Sequence, residues 1–497
     1  MVQRVKEEAR VLVVGSGPGG STAAHFLAGL GANTLLLEAG REDSPLGYTA
    51  KVRGLTLARK RPALCQREDT TKVGDPSTDI YEVLAPGGLS NQWSCAVPRF
   101  SEDDFSDAKR AGEEFTWPIT YADLVPWYER VEPLLHIAGE TKDAPQLPAG
   151  RVRAARTLAA DWRPLERAAA DKGRAAVVMP YAYGAGTFFT PSGTAFNAFT
   201  RLVKPALHAG RLGVRYDARV VRLEWSANDG RVVAAIATDA RGGEVRIPCG
   251  GVVLAAGAVN TAQILLESTS SRFPNGLGNE HDVLGRYLHD HPLGKIVIDL
   301  GRPVTTVPAS YVTRPKLDRS EPLYAAAFMQ WSGMEVLART VLAGRPGRST
   351  EIGFSVFGTM VPTRDDFVAL DASRPKTAGR SALQVALRRP AAATAVLEDA
   401  RREIVELFAN AGFEPRERVW KIEVPGNSVH YGGTCRMHSS PRFGVVDSWS
   451  RVHGVPNVAV ADSAVFTTTP EKNPVLTAMT LAARAAERLA LDLGANA

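Results

Sequence analysis

The sequence predicts an α/β protein of two domains, a discontinuous parallel-sheet domain and an α+β domain. Three stretches carry this: a strand–turn–helix–strand unit at Val11–Gly40, an apolar run at Gly251–Gly257, and a strand before an alanine-rich helix near the C-terminus. In the first, Val11–Val14 enters a glycine turn with Gly15, Gly17 and Gly20 in G-x-G-x-x-G spacing. Ala23, Ala24, Leu27 and Leu30 then share a helical face, and a second apolar run, Thr34–Leu37, ends in Glu38. The glycines allow a tight turn and let N–H groups at the helix start approach a pyrophosphate. Glu38, at the strand tip, is placed to accept hydrogen bonds from a ribose diol. Glycine spacing alone is a weak signal. With strand, helix and terminal acid around it, the unit reads as a Rossmann-like dinucleotide site; the plain alternative is a turn that binds nothing.

After Gly40, residues 41–85 show no clear periodicity, which is unusual inside a compact domain and predicts a mobile loop. We expect it to be a cover that leaves room for a bulky substrate. Trp117–Gly139 has a proline near its start and apolar residues at helical spacing. Residues 140–210 are mixed and arginine-rich, with an aromatic loop at Tyr181–Phe189. Val214–Ile236 reads as short alternating strands. Gly251–Gly257 (GVVLAAG) reads as a buried parallel strand, followed by a helix over Asn260–Ser268. Val458–Ala461 is a further strand, and Pro474–Leu491 a helix. The nucleotide domain is therefore expected in three pieces, 5–98, 210–295 and 430–497. Residues 99–209 and 296–429 are left for a substrate-binding α+β domain with a mainly antiparallel sheet.

At 497 residues and 44% hydrophobic content, the chain can bury a large core. Its net charge of +6 is spread among nearly as many acids, so nothing marks a nucleic-acid partner. The densest basic patch, Arg59–Arg67, reads as a flexible surface loop. Four cysteines (Cys65, Cys95, Cys249, Cys435) lie far apart with no C-x-x-C pair, which suits a reducing compartment without disulfides or zinc. The N-terminus has no apolar leader, and no run reaches membrane-spanning length, so a cytoplasmic protein without a membrane partner is expected.

Two late segments hold the candidate chemistry. In Asn427–Met437 (NSVHYGGTCRM), His430 precedes a double glycine; in Asp462–Thr477 (DSAVFTTTPEKNPVLT), Asn473 precedes Pro474 at a helix start. Such a helix end carries partial positive charge from its unpaired N–H groups. A neutral imidazole can take a hydroxyl proton while hydride leaves the carbon, and an amide can orient the same oxygen. Each residue also has a plainer reading: His430 as a hydrogen-bonded core histidine, Asn473 as a helix cap.

The chain resembles the glucose–methanol–choline (GMC) flavoenzyme oxidoreductases nearly end to end. The glycine turn with Glu38, WPITYADL…YERVE, Val252–Gly257, LGRYLHDHP (Leu284–Pro292), HYGGTCRM and VADSAVF…NPVLTAMTLAARAAE agree in order. The resemblance implies bound FAD, with His430 as catalytic base and Asn473 as its partner across the substrate oxygen. Asp462, Asn473 and Thr477 would lie beside the cofactor, with a backbone contact near Val220. Within the family, Gly87–Phe100 (GGLSNQWSCAVPRF) is similar to the flavin-facing segment of pyranose oxidases and bacterial glycoside 3-oxidases. This brings Ser90, Asn91 and Ser94 into the expected cofactor site, with Trp93 beside them and the Ser94 hydroxyl near flavin N5. Many fungal pyranose oxidases carry a histidine bonded to the flavin where this chain has Gln92. Glutamine has no nucleophilic ring nitrogen, so the FAD is expected to be non-covalent.

The function this implies is oxidation of a secondary hydroxyl of a pyranose sugar or glycoside, at C3 or C2, by hydride transfer to flavin N5. Electrons then pass to dioxygen or another acceptor. Choline, sterol and aliphatic or aromatic alcohol oxidation are rival activities within the family, and Gly87–Phe100 argues against them. A lyase that keeps FAD structurally would not be bleached by a sugar, and a non-catalytic NAD-binding sensor would lack a flavin spectrum. His289-Asp290-His291 could suggest a metal, but adjacent side chains diverge and no third ligand is evident, so a structural role is preferred and no metal is expected. Cys435 has no base placed for it and reads as a small buried side chain.

Overall fold

A computed structural model describes residues 11–42, 64–140, 144, 146–155, 157–182, 196–239, 241–305, 310–312, 326–331 and 348–494. The first sheet is five-stranded and parallel, in the order Val458–Val460, Gly251–Leu254, Val11–Val14, Thr34–Leu37, Gly213–Arg215. Each strand has only three or four residues, and the central ones are buried throughout, which is why they read as continuous apolar runs. Pro18–Gly29 and the C-terminal helix Val475–Asp492 pack against each other and against one face of this sheet through Ala23, Ala24, Leu27, Ala482, Ala485 and Ala486. Small residues let the backbones approach closely. A Cβ on Gly19 would come within 1.9 Å of the Ala461 carbonyl oxygen, and one on Gly20 within 2.0 Å of that of Gly15.

The second large sheet is antiparallel and six-stranded: Arg416–Ile422, Leu293–Thr305, Arg348–Gly358, Ala326–Trp331, Ser310–Val312, Ala176–Val178. The helix Ala391–Asn410 presents Leu397, Ala400, Ile404, Leu407 and Phe408 at helical spacing. These pack with Ile296, Ile298, Phe354, Val356 and Trp162 into a core of their own. Each fully buried side chain of this size contributes about 1.5–3 kcal/mol. Pro292 ends the segment entering this sheet, so the sheet and the residues at 289–291 are covalently continuous.

Several expectations shift. The helix expected over Asn260–Ser268 begins two residues earlier, at Ala258, directly after Gly257 at φ +86°. The helix within Trp117–Gly139 spans Tyr121–Leu135, started by a Thr120/Asp123 capping box. Of the expected mobile loop, residues 43–63 lie outside the described residues, as does most of the aromatic loop, at 183–195. Residues 64–85 are anchored instead of loose: Thr70–Lys72 pairs with Ala382–Ala386, and Cys65–Gln66 with Tyr81–Glu82. Strands of two or three residues are too short to show an alternation. Arg67, read as part of a surface patch, is buried, and its guanidinium donates to Asp69, Asn260 and Gln263. All four cysteines are free thiols, and all but Cys65 are buried. No helix among the described residues is long and apolar enough to cross a membrane.

Candidate active site

The glycine turn lies at the C-terminal end of the parallel sheet. Gly15 sits at φ +92°, where a Cβ would approach the Ala255 carbonyl oxygen to 2.5 Å. At Gly17 a Cβ would meet no atom within 4 Å, because this residue faces a cavity. The Glu38 carboxylate accepts from the Ser16 N–H (3.1 Å), the Ser16 hydroxyl and the Gly40 N–H (2.7 Å). A carboxylate has about four lone-pair directions, so these three donors leave one. Burial raises the Glu38 pKa above the ordinary carboxylate range, with the hydrogen bonds opposing it.

Across the turn, Asp462 ties its own segment to the start of the helix Ala258–Glu267. It accepts from the Gly257 N–H (2.9 Å), the Thr261 hydroxyl (2.7 Å) and the Ala464 N–H (2.8 Å). Ser90 donates to the Gly87 carbonyl (2.6 Å), and Asn91 donates to the Pro86 and Gly88 carbonyls. Both shape the loop that covers the glycine turn.

At the other end stands His430, half-buried, in a tight cage. Asp290 accepts from the Ser428 N–H (3.1 Å), the Ser428 hydroxyl and the His430 N–H (2.7 Å). Between those donors Val429 is held at φ +60°, a strained conformation for a β-branched residue, costing about 1–3 kcal/mol. The Phe357 ring lies 5.7 Å from the His430 ring, centroid to centroid. The Nδ1 atoms of His430 and His291 are 2.8 Å apart, and His291 Nε2 bonds the Pro470 carbonyl. Burial pushes His291 down to about 4, and holds His430 well below its ordinary value, so both rings are neutral near pH 7. Pro470 belongs to the segment that leads to Asn473. That residue is buried, and its carboxamide has no hydrogen-bonding partner among the described residues, so it is not spent on a helix cap. Beneath it, Lys472 is fully buried between Asp104 (2.8 Å) and Glu471 (2.9 Å).

One cavity of about 500 Å³ joins the two ends, a size typical of ligand clefts. Gly15, Gly17, Glu38, Ser90, Val220, His430 and Asp462 line it, with Gln92, Trp93, Pro474 and Val475. Other expected site residues do not line it. Gly20 packs the helix against the turn, Asn91 braces its own loop, and Ser94 is exposed. The Thr477 hydroxyl bonds Tyr128 (2.7 Å), and Asn473 sits immediately before the lining residue Pro474. Cys435 is fully buried, and its thiol pKa is driven up by burial. Among the described residues no cluster could hold a metal ion. The sequence alone gives His291 and Asp290 no role toward His430. Nothing in the linear text links them across the 139 residues from His291 to His430.

Residues 104–293 and 365–482 match the two models of the GMC oxidoreductase family, together more than half of the chain, and residues 8–60 match an FAD binding domain. The chain is a GMC oxidoreductase. It is similar to 2-methyl-1,2-propanediol dehydrogenase of Mycolicibacterium austroafricanum, with 25% identity over 97% of this chain and 95% of that protein. It is also similar to C-glycoside 3-oxidase of Arthrobacter globiformis, with 30% identity over 53% of this chain and 51% of that one. Pyridoxine 4-oxidase from Mesorbium loti shares the fold, with a TM-score of 0.64 and 16% identity over 97% of this chain and 99% of that chain. As in other GMC oxidoreductases, the cofactor is FAD and the reaction is oxidation of a CH–OH group. The residues present fit such a group: glycines open a cradle at the turn, and one acceptor direction remains on Glu38.

Proposed function

We propose that this GMC oxidoreductase oxidises a secondary hydroxyl of a pyranose sugar or glycoside, at C3 or C2, with His430 as base and Asn473 as its partner. The observation that carries the catalytic part is that His430 lines the same cavity as the glycine turn, with its Nδ1 tied to His291. Nε2 is then the nitrogen left to take the hydroxyl proton as the C–H electron pair departs as hydride. The Asn473 carboxamide, next to the lining residue Pro474 and without a hydrogen-bonding partner among the described residues, is the group assigned to hold the same oxygen. Asp290 keeps the His430 backbone in place throughout. FAD, held non-covalently because Gln92 stands at the linkage position, would supply the hydride acceptor when bound, with dioxygen or another acceptor as the final oxidant. The sugar preference is supported by the Gly87–Phe100 segment, whose Trp93 faces the cavity, and by the likeness to a C-glycoside 3-oxidase.

A second reading, oxidation of a small non-sugar diol, is favoured by the full-length likeness to a diol dehydrogenase. Anaerobic mixing of the oxidised holoenzyme with free sugars, O- and C-glycosides and short diols separates the two. Bleaching of the flavin by glycosides, with a 3- or 2-keto product, is expected. Bleaching by diols alone would move the assignment to the second reading.

A further inference from the structure

Resting on His430 as the base, we infer that His291 is a positioning residue that fixes the His430 tautomer, keeping the proton on Nδ1 and the lone pair on Nε2. The assignment follows from one acceptor that has no choice. The Pro470 carbonyl can only accept, so His291 Nε2 carries a hydrogen and donates it. A neutral His291 then has a bare Nδ1, and the atom 2.8 Å away, His430 Nδ1, must bring the hydrogen to that bond. His430 in turn has its lone pair on Nε2, the nitrogen with no partner among the described residues. The chain of donors runs His430 Nδ1–H to His291 Nδ1, then His291 Nε2–H to Pro470.

The geometry leaves His291 little freedom. It is 4% exposed, and its ring meets Phe357 edge-on at 5.6 Å and His430 at 86° with centroids 4.9 Å apart. The flanking residues are held as well. His289 Nδ1 bonds the Tyr287 carbonyl while its Nε2 accepts from the Thr469 hydroxyl, and Asp290 grips the His430 backbone. Three consecutive side chains thus brace both segments that meet at the site, 428–432 and 469–470. When Nε2 takes the substrate proton, the Nδ1–H bond to His291 becomes charge-assisted and strengthens, which favours the protonated state formed during the reaction.

The test compares His291→Asn with His291→Leu in the FAD-loaded enzyme. Asparagine can place its carbonyl oxygen where Nδ1 stood and still accept from His430; leucine cannot. We expect anaerobic flavin reduction within about threefold of the parent for His291→Asn and roughly 10–100-fold slower for His291→Leu, the scale for removing a support behind a reacting group. Nitrogen NMR of histidine-labelled holoenzyme, with His430 assigned by loss of its signals in His430→Gln, reads the tautomer directly. The parent should show a protonated Nδ1 and a bare Nε2, and needs no variant to fold. A protonated Nε2 in the parent, or equal rates for leucine and parent, overturns the inference. So does His291→Asn as slow as His291→Leu, with FAD content and melting temperature unchanged. Failure of the base reading looks different: His430→Ala would reduce flavin normally, whatever the NMR tautomer.

Discussion

The two ends of the cavity are built from different material. At the glycine turn, recognition rests on main-chain geometry: Gly15 at positive φ, Gly17 open to the cavity, and Glu38 braced by N–H groups of Ser16 and Gly40. All of this lies within about one strand–helix–strand unit. At the His430 end, side chains do the work, and they come from 289–291, 357, 428–431 and 469–473. Backbone recognition tolerates side-chain change but no added atoms. Side-chain recognition tolerates neither loss of a partner nor a change of its protonation.

That contrast is broken most severely by glycine replacement. Gly19→Leu drives a Cβ into the Ala461 carbonyl, so the helix must leave the sheet, and we expect no folded holoenzyme on expression. Gly17→Leu should differ in kind: its side chain enters the cavity, so the protein folds and melts near the parent apoprotein temperature but copurifies without FAD. Equal loss of folding in both would show that the turn is not divided into a packing glycine and a cofactor glycine. At the other end, His430→Ala should keep FAD and slow anaerobic reduction about 10²–10⁴-fold. Near-normal reduction in stopped flow would remove His430 from the chemistry.

The same contrast explains what was legible in the sequence. The nucleotide end was readable because its parts are contiguous and its strands, buried on both faces, are apolar without interruption. His430 and Asn473 were reached through resemblance, since an isolated histidine or asparagine has many uses. His291 could not be read as a neighbour of His430, because its partnership arises only when the strand Leu293–Thr305 and the 428–432 turn are brought together. The order of residues 64–85 is not legible for a physical reason: it comes from pairing with Ala382–Ala386 and from the bonds of Arg67 to Asn260 and Gln263, all distant in sequence.

A smaller effect is expected from Lys472, which belongs to the 469–473 segment but does not itself line the cavity. Its ammonium is fully buried between Asp104 and Glu471, which hold its pKa up at about 12 against the effect of burial. Lys472→Met leaves two buried carboxylates without their cation, a loss of about 3–5 kcal/mol. Chemical denaturation should show it as a lowered midpoint at constant slope. An unchanged midpoint would mean that those acids simply take up protons.

Asp290 sharpens the comparison through pH. Burial raises its carboxyl to about 6, although Ser428 and His430 donate to it. A raised acid binds its proton more tightly folded than unfolded, so between about pH 4 and 6 the native state holds more protons and stability falls as pH rises. Roughly two pKa units correspond to about 3 kcal/mol, fully lost above pH 6. The neutral histidines act in the opposite sense. His291, depressed to about 4, and His430 bind fewer protons folded than unfolded, so their contribution is complete above the ordinary histidine range and is lost as pH falls. The parent therefore contains two opposing slopes near one site, and Asp290→Asn should remove only one. Unfolding free energies from pH 4 to 7 should rise more steeply with pH in Asp290→Asn than in the parent, by up to about 3 kcal/mol across the window. Parallel curves would mean that Asp290 is ionised at an ordinary pKa, held by the Ser428 and His430 donors strongly enough to cancel its burial.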